Sequence, residues 1–383
     1  MTTALRSAES LLTRRSVLAG STAALVALAL PLPRAAGAQD ATPLASPVAG
    51  DGVARNAWEP DWSPDPDLFT VVSRDANTVT VRTAFDGEIE VPANPQRIVA
   101  VFGEEDPLIA LGLADRVVGI AGYEGVPEAT PQVVVETFLS PDVALISSFE
   151  PDPEAILALQ PDLIIGVGAD WTLSDDIYAS LSQIVPVLRT PVATMNFPRG
   201  ALRSYGALFG REAEAAARIA ELDAFAAEGR ARLAPVVGDK TLLVVFYQGG
   251  YNALGAWEIT PEGLTLSSSV FTSPFYRELG MRPTAYMDDL SVQANRAASD
   301  IYEISLEQIG LIDADIVFVP TIDPEETERE FVSHPILKTL PASKDGMVFA
   351  FPFTEVSGGY YGTRRAIALA VEQLTGEAMD WMG

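Results

Sequence analysis

The feature that most constrains the fold of this chain is a pattern that occurs twice in its first half. Residues 91–122 and residues 140–167 each combine a short β-branched apolar run, closed by Gly, Pro or Asp, with a neighbouring segment of helical spacing. A buried strand, a helix and a further buried strand are typical of a parallel βαβ unit. The first half is therefore predicted to be a doubly wound α/β structure.

A long helical segment is predicted to follow this first half. Residues 198–236 are dominated by Ala, Leu, Glu and Arg, begin at Pro198 and are closed by Pro235. A helix over residues 211–233 alone would be roughly 35 Å long at 1.5 Å per residue. Its apolar residues fall on one face at steps of three and four: Ala216, Ile219, Leu222, Phe225 and Ala226.

After Pro235 the strand pattern restarts at residues 240–247 and again at residues 314–320. We therefore predict an α/β fold with two doubly wound parallel-sheet lobes, residues 78–197 and 237–383, joined by a long backbone helix. An ordinary surface helix within one larger domain is the alternative. Two lobes of this kind would share a cleft.

The N-terminal residues are typical of an export signal. Arg14 and Arg15 stand directly before an apolar run, residues 17–32, which is followed by Ala-Gly-Ala at residues 36–38. That run is shorter than the stretch of about 20 apolar residues that a membrane span needs. We predict a twin-arginine signal over residues 1–38 and expect an exported protein of the periplasm or cell envelope. An uncleaved N-terminal anchor is the alternative.

The next segment, residues 39–77, is predicted to be a flexible linker. As far as about Asp67 it is rich in Pro, Ala, Ser and Asp and shows no apolar period. Over residues 78–91 apolar and polar positions alternate around Asp86-Gly87, which is a strong hairpin signal. The N-terminal lobe is therefore expected to begin with a β-hairpin.

The amino-acid composition argues against several functional classes for this protein. The chain has no Cys, which excludes disulfides, a thiol nucleophile and a cysteine metal site, and with His334 as the single histidine a zinc site would consist almost entirely of carboxylates. The net charge of −27 disfavours a nucleic-acid partner. No glycine-rich phosphate loop or nucleophile elbow is present, and the pairs Glu104-Glu105 and Asp288-Asp289 are more simply acidic surface than a glycosidase dyad. We expect a binding protein rather than an enzyme.

Candidate ligand contacts follow from the rule that open α/β sheets bind ligands outside the carboxyl ends of their strands. The first candidates directly follow predicted strands, where aromatic rings could stack on a ligand: Phe102, Glu104, Trp171, Tyr247, Gln248 and Tyr251. Further candidates lie in segments of loop composition: Trp257, Tyr286, Arg296, Tyr360 and Arg364. For each aromatic residue, packing between elements is the competing interpretation.

Several segments of the chain resemble the sequence motifs of one protein family. The motifs P-x-R-I-V, LGL-x-D-R-V-V-G and E-x-I-L-A-L-x-P-D-L-I-I are similar to those of the substrate-binding proteins of iron–siderophore and cobalamin ABC importers. Later blocks agree in the same order, and the resemblance covers about residues 91–374: residues 181–188, 208–233, 302–319 and 334–351.

The resemblance implies a protein with a helical backbone that captures a ferric siderophore and delivers it to a membrane permease. We expect a monomer that has no cofactor of its own, because the iron is carried inside the ligand. Haem or cobalamin is the alternative ligand, and a secreted hydrolase or an interaction module is the alternative class.

Adjacent tyrosines, Tyr360 and Tyr361, suggest direct iron binding, because ferric iron favours oxygen ligands. The pair stands at the start of a predicted C-terminal helix, however, where two neighbouring side chains do not easily point into one cleft. We therefore favour a preformed ferric chelate that is held by stacking and by arginine.

Two glutamates, Glu154 and Glu307, stand at corresponding helix starts in the two lobes. The resemblance implies that such glutamates pair with arginines of the permease. The local alternative is a capping box or a favourable charge at a helix N-terminus, especially for Glu307, which follows Ser305. Both roles are compatible, because carboxylates at helix starts are exposed.

Overall fold

The computed structural model describes the chain from residue 65 onward, with gaps. The described residues are 65–123, 126–127, 130–147, 151–169, 172–191, 197–246, 263–267, 274–284, 301–305, 312–321, 324–356 and 358–383. They belong to one compact unit, Ala57–Gly383. The predicted export signal, residues 1–38, lies outside them. Within the described ranges no helix is both long and apolar enough to cross a membrane.

The strands are β1 (Thr70–Arg74), β2 (Thr78–Thr83), β3 (Gly87–Pro92), β4 (Ile98–Val101), β5 (Val117–Tyr123), β6 (Val126–Pro127), β7 (Ala144–Ile146), β8 (Leu163–Val167), β9 (Val187–Thr190), β10 (Thr241–Phe246), β11 (Gly263–Ser267), β12 (Arg282–Pro283), β13 (Ile301–Ser305), β14 (Ile316–Thr321) and β15 (Val348–Pro352). The α-helices are α1 (Glu105–Ala110), α2 (Gln132–Phe138), α3 (Pro153–Ala158), α4 (Asp175–Leu181), α5 (Pro198–Phe209), α6 (Glu212–Val237), α7 (Pro324–Ser333), α8 (Pro341–Lys344) and α9 (Gly359–Thr375). Short 3-10 turns lie at Ala114–Arg116, Leu337–Thr339 and Phe353–Glu355, and a π-helical turn lies at Pro274–Glu278.

The predicted hairpin is confirmed as part of a three-stranded antiparallel sheet, β1-β2-β3. Strands β2 and β3 pair up to the turn at Gly87, whose φ of +70° is a conformation that glycine adopts without steric cost. Val79, Val81 and Val91 are buried on one face of this sheet. The alternation in the sequence therefore corresponds to a sheet with one buried face.

The predicted linker, residues 39–77, extends too far along the chain. Strand β1 lies within it, and the preceding Leu68 and Phe69 are buried in the core of the N-terminal lobe. The carboxylate of Asp65 accepts a hydrogen bond of 2.9 Å from the backbone N–H of Arg199, 134 positions away. Contacts at such a separation leave no local pattern, so the folded body begins earlier than the composition indicates.

The sheet of the N-terminal lobe has the order β6-β5-β4-β8-β9, with β7 beside β5. Its pairs are parallel except that β6 runs antiparallel to β5. Strands β4 and β8 are buried along their whole length, which explains their continuous apolar sequences. The chain places β5 and β7 on one side of β4 and then β8 and β9 on the other. Ligands of doubly wound sheets bind where the strand order reverses in this way.

The predicted backbone helix, residues 198–236, is in fact two helices, α5 and α6. Gly210 ends α5 in the left-handed conformation, with a φ of +64°, and its N–H donates to the carbonyl of Gly206. Helix α6 has 26 residues and is about 39 Å long. It passes through Pro235 and ends at Val237, because a proline in the last turn removes one donor without ending the helix.

Helix α6 connects the hydrophobic cores of the two lobes. Ala215 and Leu222 pack in the core of the N-terminal lobe, whereas Phe225 and Leu233 pack in that of the C-terminal lobe. Ala216, which was predicted to belong to the buried face, is exposed, and its neighbour Ala215 takes the buried position. The helix is thus fixed to both lobes along its length.

The sheet of the C-terminal lobe has the order β13-β11-β10-β14-β15, with β12 beside β10. Strands β10, β12, β14 and β15 are parallel, whereas β11 and β13 form an antiparallel edge that the sequence did not predict. Phe275, Phe318 and Phe351 pack together against α9 in this core. The predicted architecture of two α/β lobes with helices between them is confirmed.

A group of charged residues, which we call the charged brace, ties the two lobes together: Asp65, Arg199, Asp223, Arg277 and Glu278. Arg199 on α5 donates two hydrogen bonds to Glu278, at 2.7 and 2.8 Å, and one of 2.7 Å to Asp223 on α6. Arg277 forms an ion pair with Asp65. The side chains of Glu278 and Asp65 are buried. The brace thereby joins the start of the folded chain, the long helices and the π-helical turn of the C-terminal lobe.

Candidate functional site

The loop after β4 begins in an uncommon backbone conformation. Phe102 has a φ of +65° and Gly103 a φ of +86°. The left-handed region costs a residue with a side chain about 1–2 kcal/mol, and such strain concentrates at functional sites. The loop follows the carboxyl end of β4, where the strand order reverses. This edge of the sheet is therefore the candidate ligand site.

Three consecutive acidic residues follow this loop, and all of them are buried: Glu104, Glu105 and Asp106. The interpretation of Glu104-Glu105 as acidic surface is therefore wrong. Burying a carboxylate is costly unless hydrogen bonds or charges compensate it. The surroundings of each carboxylate consequently indicate what that residue does.

Glu104 accepts hydrogen bonds from two hydroxyl groups. Thr190 at the end of β9 donates to one carboxylate oxygen, and Tyr205 on α5 donates to the other. Burial and the Glu104 charge raise the pKa of Tyr205 well above its usual value, so the phenol remains a donor. In this structure Glu104 joins three elements of the N-terminal lobe, and its contact with a ligand stays a prediction.

Asp106 caps the N-terminus of α9. Its Oδ1 accepts from the backbone N–H of Tyr360 at 2.6 Å and its Oδ2 from that of Tyr361 at 3.0 Å. Gly359 permits this approach, because a Cβ there would lie 2.7 Å from Asp106 Cγ. Burial raises the pKa of Asp106 to about 7, against the opposing effect of the two N–H groups. The carboxylate therefore links the N-terminal lobe to the C-terminal helix.

Glu105 differs from both of its neighbours. It is fully buried, and among the described residues neither of its carboxylate oxygens has a hydrogen-bond partner. Burial raises the pKa of Glu105 to about 7, and the backbone N–H groups of Gly103 and Glu105 and the neighbouring Thr130 hydroxyl oppose this rise in part. That hydroxyl is near the carboxylate but outside the geometry of a regular hydrogen bond. Glu105 is thus a fully buried carboxyl group to which the described residues donate no hydrogen bond of regular geometry.

Tyr360 and Arg364, both predicted ligand contacts, are buried in the packing of α9 against α6. The Tyr360 hydroxyl donates to Glu221 at 2.8 Å and accepts from Arg364 Nη1 at 2.9 Å. Arg364 also donates to the carbonyl of Trp381 at 2.7 Å and lies over the ring of Phe225 at 4.6 Å. Their connection to the β4 edge runs through Asp106. This geometry favours a structural role for both residues.

The geometry also bears on direct iron binding by Tyr360 and Tyr361. Their rings pack edge to face at 4.9 Å, and Tyr361 lies 5.5 Å from the ring of Phe138. Both hydroxyl-bearing rings are therefore part of the apolar packing between the lobes. In the described part of the chain no group of three or more His, Asp or Glu side chains is placed to hold a metal ion.

Several predicted contacts lie outside the described residues: Trp171, Tyr247, Gln248, Tyr251, Trp257, Tyr286, Arg296 and Glu307. Of the remaining ones, Phe102 and Glu104 both lie in the loop after β4, where Phe102 packs against an apolar cluster that includes Val101. Glu154 is exposed on α3, and the cap of that helix is Asp152, which accepts from the Glu154 N–H at 2.9 Å. The permease role of Glu154 stays a prediction.

Arg189, near the carboxyl end of β9, is fully engaged by neighbouring groups. It forms ion pairs with Asp86 at 2.5 Å and with Asp175 at 2.7 Å, and its guanidinium carbon lies 4.3 Å from the ring centre of Tyr178. The arginine thereby fastens the tip of the hairpin to the N-terminal lobe.

Sequence reasoning missed the hydroxyl groups and two of the three buried acids at this edge. Glu105 and Asp106 directly follow the first predicted strand, so their position was a usable signal. Charged residues are normally exposed, however, and Glu105 was interpreted as acidic surface together with Glu104. Thr130 and Tyr205 reach the site from distant segments, and nothing local distinguishes them.

Comparison with known proteins places this chain among binding proteins. The profile of a family described as periplasmic binding protein matches residues 103–354, well over half of the chain. The Fe(3+)-citrate-binding protein YfmC of Bacillus subtilis is 26% identical over 268 residues, which cover 69% of this chain and 75% of that protein. The ferric enterobactin-binding periplasmic protein FepB of Escherichia coli is 24% identical over 295 residues, which cover 73% and 86%.

Solved structures share the fold. SirA of Staphylococcus aureus in complex with staphyloferrin B has a TM-score of 0.61 at 22% identity, and the match covers 77% of this chain and 98% of SirA. The triscatecholate siderophore binding protein FeuA of Bacillus subtilis, in complex with ferri-bacillibactin, has a TM-score of 0.58 at 19% identity, and the match covers 76% of this chain and 97% of FeuA. At these identities the likeness establishes the two-lobed α/β fold.

Proposed function

The chain belongs to the periplasmic binding protein family, as its motifs predicted, and we propose that it is the extracytoplasmic solute-binding component of an ABC importer. The proposed ligand is a ferric siderophore, which the protein captures between its two lobes and delivers to a membrane permease.

The observation that carries this proposal is the agreement among the relatives. Ferric citrate and ferric enterobactin stand in the names of two of them, and FeuA is described as a siderophore binding protein. A further relative is named a probable siderophore-binding lipoprotein. Each of these names refers to a ferric chelate or a siderophore. We therefore assign a ferric chelate to this chain as its ligand class.

The geometry of the N-terminal lobe supports a ligand at the β4 edge. The strand order reverses there, and the partly buried Phe102 stands in a strained loop at this edge. Helix α6 is fixed to both cores, so lobe movement would be limited and recognition would rest on a largely preformed cleft.

The family and the structural neighbours are binding proteins, not enzymes. We propose that iron enters as part of the ligand and that the protein contributes no metal or cofactor of its own. Stacking and hydrogen bonds to the organic part of the chelate would then determine specificity.

We also propose export through a twin-arginine signal in residues 1–38. Two relatives are named as a periplasmic protein and a lipoprotein. This chain has no Cys and so cannot carry a lipid-modified cysteine. The protein would act as a monomer, and Glu154 and Glu307, one from each lobe, would pair with basic residues of the permease.

The proposal is tested by tryptophan-fluorescence titration of the full chain, which has 5 Trp residues. The probes are ferrichrome, ferric enterobactin and ferric citrate, with the iron-free form of each as the matched control and with haem and cobalamin as comparators. We expect saturable quenching by one ferric chelate at about micromolar concentration or below, and none by its iron-free form.

The alternative outcomes separate the competing functions. Binding of haem or cobalamin alone would retain the transport role and remove the siderophore. If none of the five compounds binds, the solute-uptake proposal fails, and a secreted hydrolase or an interaction module becomes the better hypothesis.

A further inference from the structure

Buried side-chain oxygens without a hydrogen-bond partner occur, within the described residues, in two places. One is Asp65 in the charged brace, where Arg277 provides an ion pair. The other comprises both carboxylate oxygens of Glu105 and the hydroxyl groups of Thr130 and Thr172. Buried polar groups almost always have partners, so this second set needs an explanation.

The topology places this second set at the candidate ligand site. Glu105 follows β4, and Thr172 follows β8, where the adjoining Leu173 N–H donates to the carbonyl of Val167 at the strand end. Thr130 lies between the short strand β6 and α2 and is close enough to lower the pKa of Glu105. Because β5, β4 and β8 are parallel neighbours, their carboxyl ends share one edge. That edge is where a doubly wound sheet binds its ligand.

The neighbouring residues show that the protein satisfies carboxylates here when their role is structural. Glu104 has the hydroxyl groups of Thr190 and Tyr205, and Asp106 has two backbone N–H groups of α9. Glu105 stands between them in the sequence without such a partner. The missing hydrogen bonds are therefore confined to one member of the acidic triplet.

We propose that the Glu105 carboxylate and the hydroxyl groups of Thr130 and Thr172 form a subsite that accepts hydrogen bonds from hydroxyl or amide N–H groups of a ferric chelate. This inference rests on the proposed function and specifies the part of the ligand that the N-terminal lobe recognises. A donor from the ligand would supply the partner that the described residues do not provide.

The charges at this edge favour a donor over a free carboxylate on the ligand. Among the described residues no ion pair joins Glu105 to a basic side chain, and Arg189 is engaged by Asp86 and Asp175. A ligand carboxylate would meet a buried acidic triplet and no available guanidinium of the described N-terminal lobe, which disfavours it.

The ionisation of Glu105 distinguishes an accepting carboxylate from a donating carboxylic acid. Hydrogen bonds donated by the ligand would stabilise the charged form, so binding would release a proton near pH 6.5. Among the described residues, the titratable groups that interact with Glu105 are Asp106 in its own segment and Tyr205 on α5, and Glu104 precedes it directly in the sequence. Their hydrogen bonds join protein groups to one another, so we assign the released proton to Glu105.

The test compares Glu105→Gln with Glu90→Gln, a matched change of an exposed glutamate on β3. The full chain of each is titrated with ferrichrome, ferric enterobactin and ferric citrate, by calorimetry at pH 6.5 in two buffers of different ionisation enthalpy. For the chelate that the wild type binds, we expect Glu105→Gln to raise Kd about tenfold or more and to abolish proton release, because it removes a charged acceptor. Glu90→Gln should change neither quantity.

Two results would overturn the inference while leaving the proposed function intact. One is an unchanged Kd in Glu105→Gln, and the other is proton uptake on binding by the wild type. If the wild type binds none of the three chelates, the proposed function and the subsite fail together. Should Glu105→Gln not fold, Thr130→Val provides a second measurement. We expect this variant to raise Kd about threefold or more, because it removes one neutral hydrogen bond.

Discussion

Glu278 in the C-terminal lobe and Glu105 in the N-terminal lobe are both buried glutamates, but their surroundings are opposite. Glu278 accepts two hydrogen bonds from Arg199 at 2.7 and 2.8 Å, and its backbone carbonyl accepts a third from Arg230. Glu105 accepts none among the described residues. The first arrangement holds the lobes together, whereas the second leaves an acceptor at the edge of the sheet where a ligand would bind. Burial of a charge therefore indicates neither stability nor function until its partners are known.

Removing the carboxylate of Glu278 should have the largest effect on stability. Glu278→Ala leaves the mostly buried guanidinium of Arg199 with Asp223 alone, and breaking a buried pair in this way costs about 3–5 kcal/mol of unfolding free energy. The matched control is Glu228→Ala, which breaks the more exposed pair with Arg232 on α6 and should cost about 0.5 kcal/mol or less. Urea unfolding measures both variants. Equal losses of unfolding free energy would contradict the conclusion that the charged brace holds the two lobes together.

Removing the carboxylate of Asp106 should have the next largest effect. Asp106→Ala leaves the N–H groups of Tyr360 and Tyr361 without their acceptor at a buried helix end, which should cost about 2 kcal/mol. Asp152→Ala removes the cap of the short helix α3 at an exposed site and should cost about 1 kcal/mol or less. If the two variants lose the same free energy in urea, the junction between the lobes is not held by Asp106.

The pH dependence of stability should report the burial of the Glu105 carboxyl group. Burial raises the pKa of Glu105 from 4.5 to about 7, so between these values the folded state binds more protons than the unfolded state. The free energy of unfolding should therefore fall as the pH rises from about 5 to 7, by at most about 1.4 kcal/mol per pH unit for this group. Asp106, whose pKa is also raised to about 7 by burial, contributes in the same direction.

Glu105→Gln should reduce this slope, because an amide does not titrate. It should also lower the pKa of Asp106, since the charge of Glu105 contributes to raising it. Urea unfolding at pH 5, 6, 7 and 8 measures the slope, with Glu90→Gln as the exposed control. A slope that is the same in Glu105→Gln and in the wild type would show that Glu105 does not titrate in this range.

The same contrast explains how much the sequence could predict. Strands β4 and β8 and the hairpin at Gly87 were predictable because burial on both faces, or on one face, leaves a local pattern of apolar residues. The interruption of the backbone helix at Gly210 was also readable, since a glycine in the left-handed conformation is a common helix end. The attachment of Asp65 to Arg199 was not, because it depends on partners far away in the sequence.

The candidate site was predicted less completely than the fold. The rule about strand ends selected the edge that contains Phe102 and Glu104, whose contact with a ligand stays a prediction. It could not show that Glu105 is buried, because a charged residue without visible partners is normally exposed. Tyr360 and Arg364 were selected for their chemistry. Their hydrogen bonds lie in the packing of α9 against α6, and their contact with a ligand stays a prediction.

The smallest expected effects concern the two residues with a side chain and a positive φ among those described, Phe102 and Gln160. Gln160 is exposed and follows the end of α3, a position that glycine favours, so Gln160→Gly should stabilise the fold by roughly 0.5–1 kcal/mol without changing ligand binding. Phe102→Gly relieves the same kind of strain but removes a ring at the candidate site. We expect its affinity for the bound chelate to fall about fivefold to tenfold in the fluorescence titration. If both variants bind the chelate as the wild type does, the strain at Phe102 serves the turn after β4 and not the ligand.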